Sequence, residues 1–500
     1  MAALVATAPL ALIIFLMAVL RWSAASAGLV GLVATVAGAI GFFGFGTSVH
    51  VEQGIGGALF GTGAEAAFSA VDILWIILPA LSLYELQRRS GAIDAIRAGL
   101  MGLSSDKALL AIVIAWFFAP FMEGAAGFGT PIALAAPVLV SLGFTPVVAV
   151  ALPLIGHVAG TSFGALGTPI FAQADVSGIS ADKIALPTAS LHAILAPVLV
   201  LAIVFFARTG RFQAKYAAWA VAAAVCFLLP YLGLAAFVGP ELPTIGGALA
   251  GGMAFAFVLR WTQAQQAEAF DARSLAWAAM PYAVLVGLIL VTRLVPQVRD
   301  VLRQVVLEWT LPGPFGGRIE PLYHPGTMLF AGFLFGGLLQ RRPLPELAGA
   351  VAAAVRRLVP VAIALFTMLA IARLMLHAGM TEALAATATR TGGAWPLLAP
   401  AVGALGAFIT GSTTASNILL TDLQVAAAGE LGLPLLVMVA AQGFGAAVGN
   451  SVALHNIITG AATVGLQGRE GDILRKTGPV CLVYLAAGGL LVLTVALWSS

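Results

Sequence analysis

Charge is what this chain of 500 residues has least of: 9% are Asp, Glu, Lys or Arg, while 61% are hydrophobic. Soluble domains carry about 25% charged residues, so the several soluble domains that the length alone suggests are excluded. Lysine is the scarcer cation, 4 residues against 20 arginines, and a net charge of +3 scattered over separate loops does not make a nucleic-acid surface. Cys226 and Cys481, the two cysteines, lie in apolar runs without metal-ligand spacing and read as packing residues. No His-Glu metal cluster or nucleophile–base spacing occurs, which argues against a membrane-embedded enzyme. No Gly-x-x-x-x-Gly-Lys-Ser/Thr loop occurs either, which argues against ATP-driven pumping within this chain.

What is present is sequence for lipid. Mean hydropathy is +1.03, and apolar stretches of about 20 residues, enough to cross a ~30 Å hydrocarbon core, recur from end to end. The first, residues 4–20, has no basic residues ahead of it and reads as a spanning helix rather than a signal peptide.

Loop basicity orients the spans. Residues 47–65 include no Lys or Arg, whereas Arg88, Arg89, Arg97 and Lys107 follow the next span. Further basic loops carry Arg208, Arg211 and Lys215, then Arg341, Arg342, Arg356 and Arg357, then Arg469, Arg475 and Lys476. These go to the cytoplasm; the turns near Asp175 and Glu241, and both termini, go outside. Residues 297–321 fit neither side, with Arg299, Arg303 and Arg318 against Asp300, Glu308 and Glu320. The stretch 88–106, with Ile93, Ile96 and Leu100 on one face, is either an interfacial helix or a plain cytoplasmic one.

The chain also resembles itself. Ser90-Gly91-Ala92-Ile93-Asp94-Ala95-Ile96 aligns with Ala378-Gly379-Met380-Thr381-Glu382-Ala383-Leu384 at a shift of 288. Pro131-Ile132 aligns with Asn417-Ile418 at 286, and Pro169-Ile170 with Asn456-Ile457 at 287. The order and near-constant shift point to a duplication over 28–207 and 316–495, with 208–315 inserted. Lys107 enters the first motif from inside and Arg390 the second from outside, so the copies are inverted. Inverted repeats with interrupted helices at matching positions mark secondary transporters, with the site between the repeats. The expected fold is one all-α polytopic membrane domain over 1–500, with about twelve transmembrane helices and two re-entrant hairpins at 107–142 and 394–430.

The segment Glu123-Gly124-Ala125-Ala126-Gly127-Phe128-Gly129-Thr130-Pro131-Ile132 puts a carboxylate and three glycines into an apolar run. A membrane tolerates this only where broken backbone is buried in protein or lines a polar cavity. A second Gly-Thr-Pro-Ile begins at Gly167. Proline suits a first helical turn, and Thr130 and Thr168 are placed to cap the following helices as acceptors. Ser416-Asn417 and His455-Asn456 offer the same function in the other copy. Four such starts meeting at one point would direct about half a positive charge each toward a small anion. The alternative is that these motifs only kink helices for packing.

The run Phe121-Met122-Glu123-Gly-Ala-Ala-Gly-Phe-Gly-Thr-Pro-Ile-Ala resembles the signature of the bacterial L-lactate permease family. The likeness covers most of the chain, through Phe163-Gly164-Ala165-Leu166-Gly167-Thr168-Pro169-Ile170, Gly411-Ser412-Thr413-Thr414-Ala415-Ser416-Asn417 and Gly449-Asn450 with His455-Asn456. It implies a multi-pass protein of the bacterial inner membrane that imports L-lactate, D-lactate or glycolate with a proton. No cofactor beyond that coupling ion is implied, and nothing about oligomeric state. Some members carry Asp where Thr413 stands and Lys where Asn450 stands; both are neutral here.

Importing a monoanion against an inside-negative potential costs about 2.3 kcal/mol per charge per 100 mV unless a cation accompanies it. Glu123 is the first candidate for proton coupling, since an enclosed carboxylate can hold a proton near neutral pH; its alternative role is a bond to hairpin amides. His455 is a second proton site or a hydroxyl-binding group, and His157 shares that logic. Asp72 is an intramembrane acid or lies at the outer interface. Arg373 pairs with substrate carboxylate or with an acid such as Glu85 or Glu123, unless it snorkels to an interface. Gly129, Thr130, Gly167, Thr168, Ser412, Thr413, Ser416, Asn417, Asn450, His455 and Asn456 are the remaining candidates for binding a carboxylate and a 2-hydroxyl. A sodium-coupled carboxylate carrier is the nearest alternative, and an anion channel a further one.

Overall fold

The computed structural model describes residues 1–500 apart from 21, 128, 209, 211, 212, 263–271 and 500. Phe128 and Arg211, quoted above, therefore lie outside the described residues. Lipid offers backbone groups no partners, so each apolar run closes its own hydrogen bonds as a helix. Among the described residues, ten helices are long and apolar enough to cross a membrane, or up to eleven if the bent pair Ala181–Leu195 and Pro197–Ala207 forms one span. The expected twelve would need shorter apolar helices such as Ala2–Met17 and Pro325–Leu339.

The mixed-charge loop that fitted neither side holds the described exception to the all-α fold. Leu307–Thr310 pairs antiparallel with Gly316–Ile319. This β-hairpin sits on the long helix Gly54–Arg89, where the Gly316 N–H donates to Glu65 Oε1 (3.1 Å). Its buried Phe315 packs against the rings of both His50 and His377.

Two helical hairpins dominate the interior. Hairpin 1 runs Lys107–Ile112, a π-helical stretch Val113–Phe118, and Ala119–Ala125, then returns as Thr130–Ser141. Its turn uses Gly127 (φ +62°) and Gly129 (φ +77°), conformations open to residues without Cβ. Hairpin 2 runs Trp395–Thr410, turns at Gly411, and returns as Thr413–Leu431. It packs on Leu435–Val452, where Gly445 and Gly449 lie directly against the carbonyls of Pro400 and Ala404. Two glycines four apart on one face allow this approach, as in other membrane helix pairs.

The element order helix, long helix, short helix, hairpin, interrupted helix, terminal helices occurs over 24–207 and again over 325–499. Gly54–Arg89 and Leu344–His377, the two long helices, pack together. Helices of the 208–315 segment brace hairpin 1 and its neighbour: Tyr231 OH donates to the Ala159 carbonyl (2.9 Å), and Thr244 Oγ1 to that of Gly160 (2.7 Å).

The basic segments gather at one end. Arg342 donates to the Ser90 carbonyl (3.4 Å) and Arg357 approaches Glu85 (3.7 Å). Tyr216 OH donates to Asp106 (2.6 Å), and Lys476 lies 5.3 Å from the Phe206 ring. Ala92–Met101 lies at this end with Ile93 and Ile96 buried, which accounts for its one-sided apolar pattern.

Candidate substrate site between the hairpin tips

Four interruptions of helical backbone share one cavity of about 100 Å³, several times the ~10–15 Å³ that one water requires. Hairpin 1 contributes Glu123, Gly127, Gly129 and Ile132; the interrupted helix Gly164–Ser177 contributes Gly164, Ala165, Thr168 and Pro169. Hairpin 2 contributes Gly411, Ser412, Thr413 and Thr414, and the break before Leu454–Thr463 contributes Asn450, His455 and Asn456. His157 and Thr161 complete the wall.

The second interruption is the sharpest. Ala165 (φ 41°), Leu166 (φ 55°) and Gly167 (φ 84°) are left-handed in succession. For the first two, whose Cβ disfavours that region, the cost is roughly 1–2 kcal/mol each. Thr168 Oγ1 donates to the Ala165 carbonyl (2.7 Å), and Thr130 Oγ1 does the same to Gly127 in hairpin 1 (2.7 Å). This corrects the capping expectation. Both threonines donate backward across the turn instead of accepting from the helix ahead, because the left-handed turn brings a carbonyl three residues back into reach.

In the other half the cap is Ser412, whose Oγ accepts from the Ala415 N–H (3.2 Å). Ser416 and Asn417 lie inside the helix that Ser412 starts, and Asn456 is the third residue of its own helix. Asn456 Nδ2 bridges the break by donating to the backbone oxygen (2.8 Å) and Oδ1 (2.9 Å) of Asn450.

Glu123 is 6% exposed, faces the cavity, and among the described residues makes no hydrogen bond or ion pair. A Cβ on Gly164 would collide with its Oε1, so that glycine makes space for the carboxylate. An enclosed carboxylate without a protein partner must be matched by a proton, a cation or a ligand's donor.

Thus Gly129, Thr168, Ser412, Thr413, Asn450, His455, Asn456 and Glu123 meet, while six other candidates stand apart. Thr130 and Gly167 lie behind the lining, Gly167 pressed against the Pro240 carbonyl. Ser416 Oγ donates to the Gly403 carbonyl (2.8 Å). Asn417 Nδ2 donates to that of Pro169 (3.1 Å), joining hairpin 2 to the interrupted helix. Arg373 contacts neither Glu85 nor Glu123: it pairs with Asp175 (3.0 Å) and reaches Ser69 (3.4 Å). Glu85 is taken by Arg88 (2.7 Å) and Arg89 (3.0 Å) at the basic end. Asp72 is also away from the cavity, 3.0 Å from His324 Nε2. Thr161 and Thr414 were not singled out from sequence; their only signal is proximity to the Phe163-Gly164 and Ser412-Thr413 motifs.

The family model for L-lactate permease matches residues 2–317 and 312–498. The chain belongs to that family. It is a permease and not an enzyme, a multi-pass protein of the bacterial inner membrane. An L-lactate permease of Streptococcus iniae is 29% identical over 374 residues, 72% of this chain and 78% of its own. The glycolate permease GlcA of Escherichia coli K12 is 27% identical over 476 residues, 85% of this chain and 84% of its own. Among solved structures, Neisseria gonorrhoeae MtrF, described within a class of antimetabolite efflux pumps, aligns at TM-score 0.47 and 16% identity over 84% of this permease and 80% of its own chain. Thr413 and Asn450, the two departures from some members' pattern, both line the permease's cavity.

Proposed function

We propose that this permease imports L-lactate and related 2-hydroxymonocarboxylates, D-lactate and glycolate among them, together with a proton by alternating access between two inverted halves. The observation that carries the reading is the lone carboxylate of Glu123 in a small cavity closed by four helix interruptions. The names of the relatives supply lactate and glycolate as substrates. Helix starts at Thr130 and Thr413 supply partial positive charge for a carboxylate. Ser412, Thr413, Asn450 and Asn456 supply short polar groups for the hydroxyl.

Glu123 takes a proton from outside, lies beside the bound anion, and releases the proton inside, so the proton on this residue offsets the charge of one anion. Both halves contribute to the cavity and meet beside it, Gly129 against Asn456 and the Pro169 carbonyl against Asn417 Nδ2. A relative movement of the halves therefore opens it to either side, and the repeated element order supports the inverted pairing.

Proteoliposomes test this. Labelled lactate should accumulate under an imposed pH gradient, saturate, show counterflow, and collapse with a protonophore. Uptake that follows a sodium gradient instead would replace the coupling ion, and flux without saturation or counterflow would indicate a channel.

A further inference from the structure

Five acids are buried among the described residues. Glu65, Glu85 and Glu241 are each paired, with His377, with Arg88 and Arg89, and with Arg293. Glu123 lines the substrate cavity. The fifth, Asp422, lies midway along Thr413–Leu431, is 8% exposed, and makes no hydrogen bond or ion pair with any described residue.

Beside it is a second cavity of about 10 Å³, bounded by Leu10, Ala372, Met375, Thr381 and Leu384. That is space for about one water. The charges acting on Asp422 are Arg373 from Leu344–His377, Asp175 from Gly164–Ser177 and Glu382 from Met380–Ala388. The first helix contributes Leu10 to this cavity and no charge. Arg373 is already neutralised by Asp175, so it does not complete a pair with Asp422. Its Nε has no hydrogen-bond partner, so the arginine is not saturated either. An acid with no partner, a neighbouring cation held by another acid, and space for a water form a site for a proton.

We propose that Asp422 binds a second proton during transport, on hairpin 2 and about 14 Å along the helix from the substrate cavity. This rests on the reading of the permease as a proton-coupled carrier. With Glu123 alone, one anion and one proton cross and no charge moves. With Asp422 as well, two protons accompany one monoanion, and each cycle carries one positive charge inward.

The experiment is lactate accumulation in proteoliposomes at zero pH gradient, with an inside-negative potassium diffusion potential set by valinomycin. Potential alone should drive wild-type accumulation, about fifty-fold at 100 mV. Asp422→Asn should lose that response and keep accumulation driven by a pH gradient. Asp422→Glu, which keeps an acid in place, should retain the response with a shifted pH midpoint. A wild type driven by pH but indifferent to potential overturns the second proton and leaves the carrier reading intact. So does Asp422→Asn with a full potential response. If Asp422→Asn does not fold, an unchanged midpoint in Asp422→Glu overturns the proposal. A wild type driven by neither gradient refutes the carrier reading itself.

Discussion

At Glu123 the side chain has its space only because residue 164 lacks one. Gly164→Ala should therefore act on the carboxylate from a different element, lowering pH-driven lactate uptake by about tenfold, the effect of ~1.4 kcal/mol. The purified protein's thermal midpoint should stay close to wild type, and uptake that is unchanged would show that the carboxylate position is not critical. Glu123→Gln should abolish pH-driven accumulation while leaving counterflow of bound lactate; a fully retained response to the pH gradient would make Glu123 structural. Asn456→Ala removes both bonds to Asn450, at about 1–3 kcal/mol. Its expected signature is a higher KM for lactate with the same pH dependence. Much of this residue chemistry was legible beforehand, because Glu123, Thr168, Ser412 and Asn456 stand in runs whose glycines and prolines mark broken helix. Asp422 was not: one acid within an apolar helix has no spacing to single it out, and its importance comes from partners that are missing.

Hairpin 2 is held to Leu435–Val452 by backbone approach and by a chain of amides. Trp395 Nε1 donates to Gln424 Oε1 (3.0 Å), Gln424 Nε2 to Gln442 Oε1 (3.3 Å), and Gln442 Nε2 to Ser416 Oγ (3.2 Å). These elements should move together, since separating them would strand every one of those buried groups. Gly445→Ala places a Cβ on the Pro400 carbonyl, an overpacking that costs about 1–3 kcal/mol. Gly429→Ala, at a position with nothing within 4 Å, is the control. Thermal unfolding in detergent should separate the two, and equal midpoints would contradict the tight crossing. The hairpin itself was readable from Gly411 and Ser412. The register of its second limb was not, and Ser416 and Asn417 were placed at a helix start that Ser412 occupies. Sequence shows that a polar cluster interrupts an apolar run, but several Ser and Thr residues in a row can each serve as cap, and tertiary packing selects one.

Over the whole molecule, the gathering of basic segments at one end gives an orientation that labelling can check. In a background with Cys226 and Cys481 replaced by alanine, Glu308→Cys on the β-hairpin should react with an impermeant maleimide added to intact cells. Arg469→Cys should react only after permeabilisation, and the reverse pattern would invert the topology. Loop charge alone gave this orientation except at 297–321, where opposed charges cancel the signal. The interrupted helix has a consequence at the same scale. Ala165 and Leu166 are held in a backbone region that glycine enters without penalty. Glycine at either position would relieve that strain, and a bend kept under tension is easier to release. Ala165→Gly should accordingly give a protein that survives heat better and turns over more slowly, a trade-off read by comparing its melting midpoint with its exchange rate.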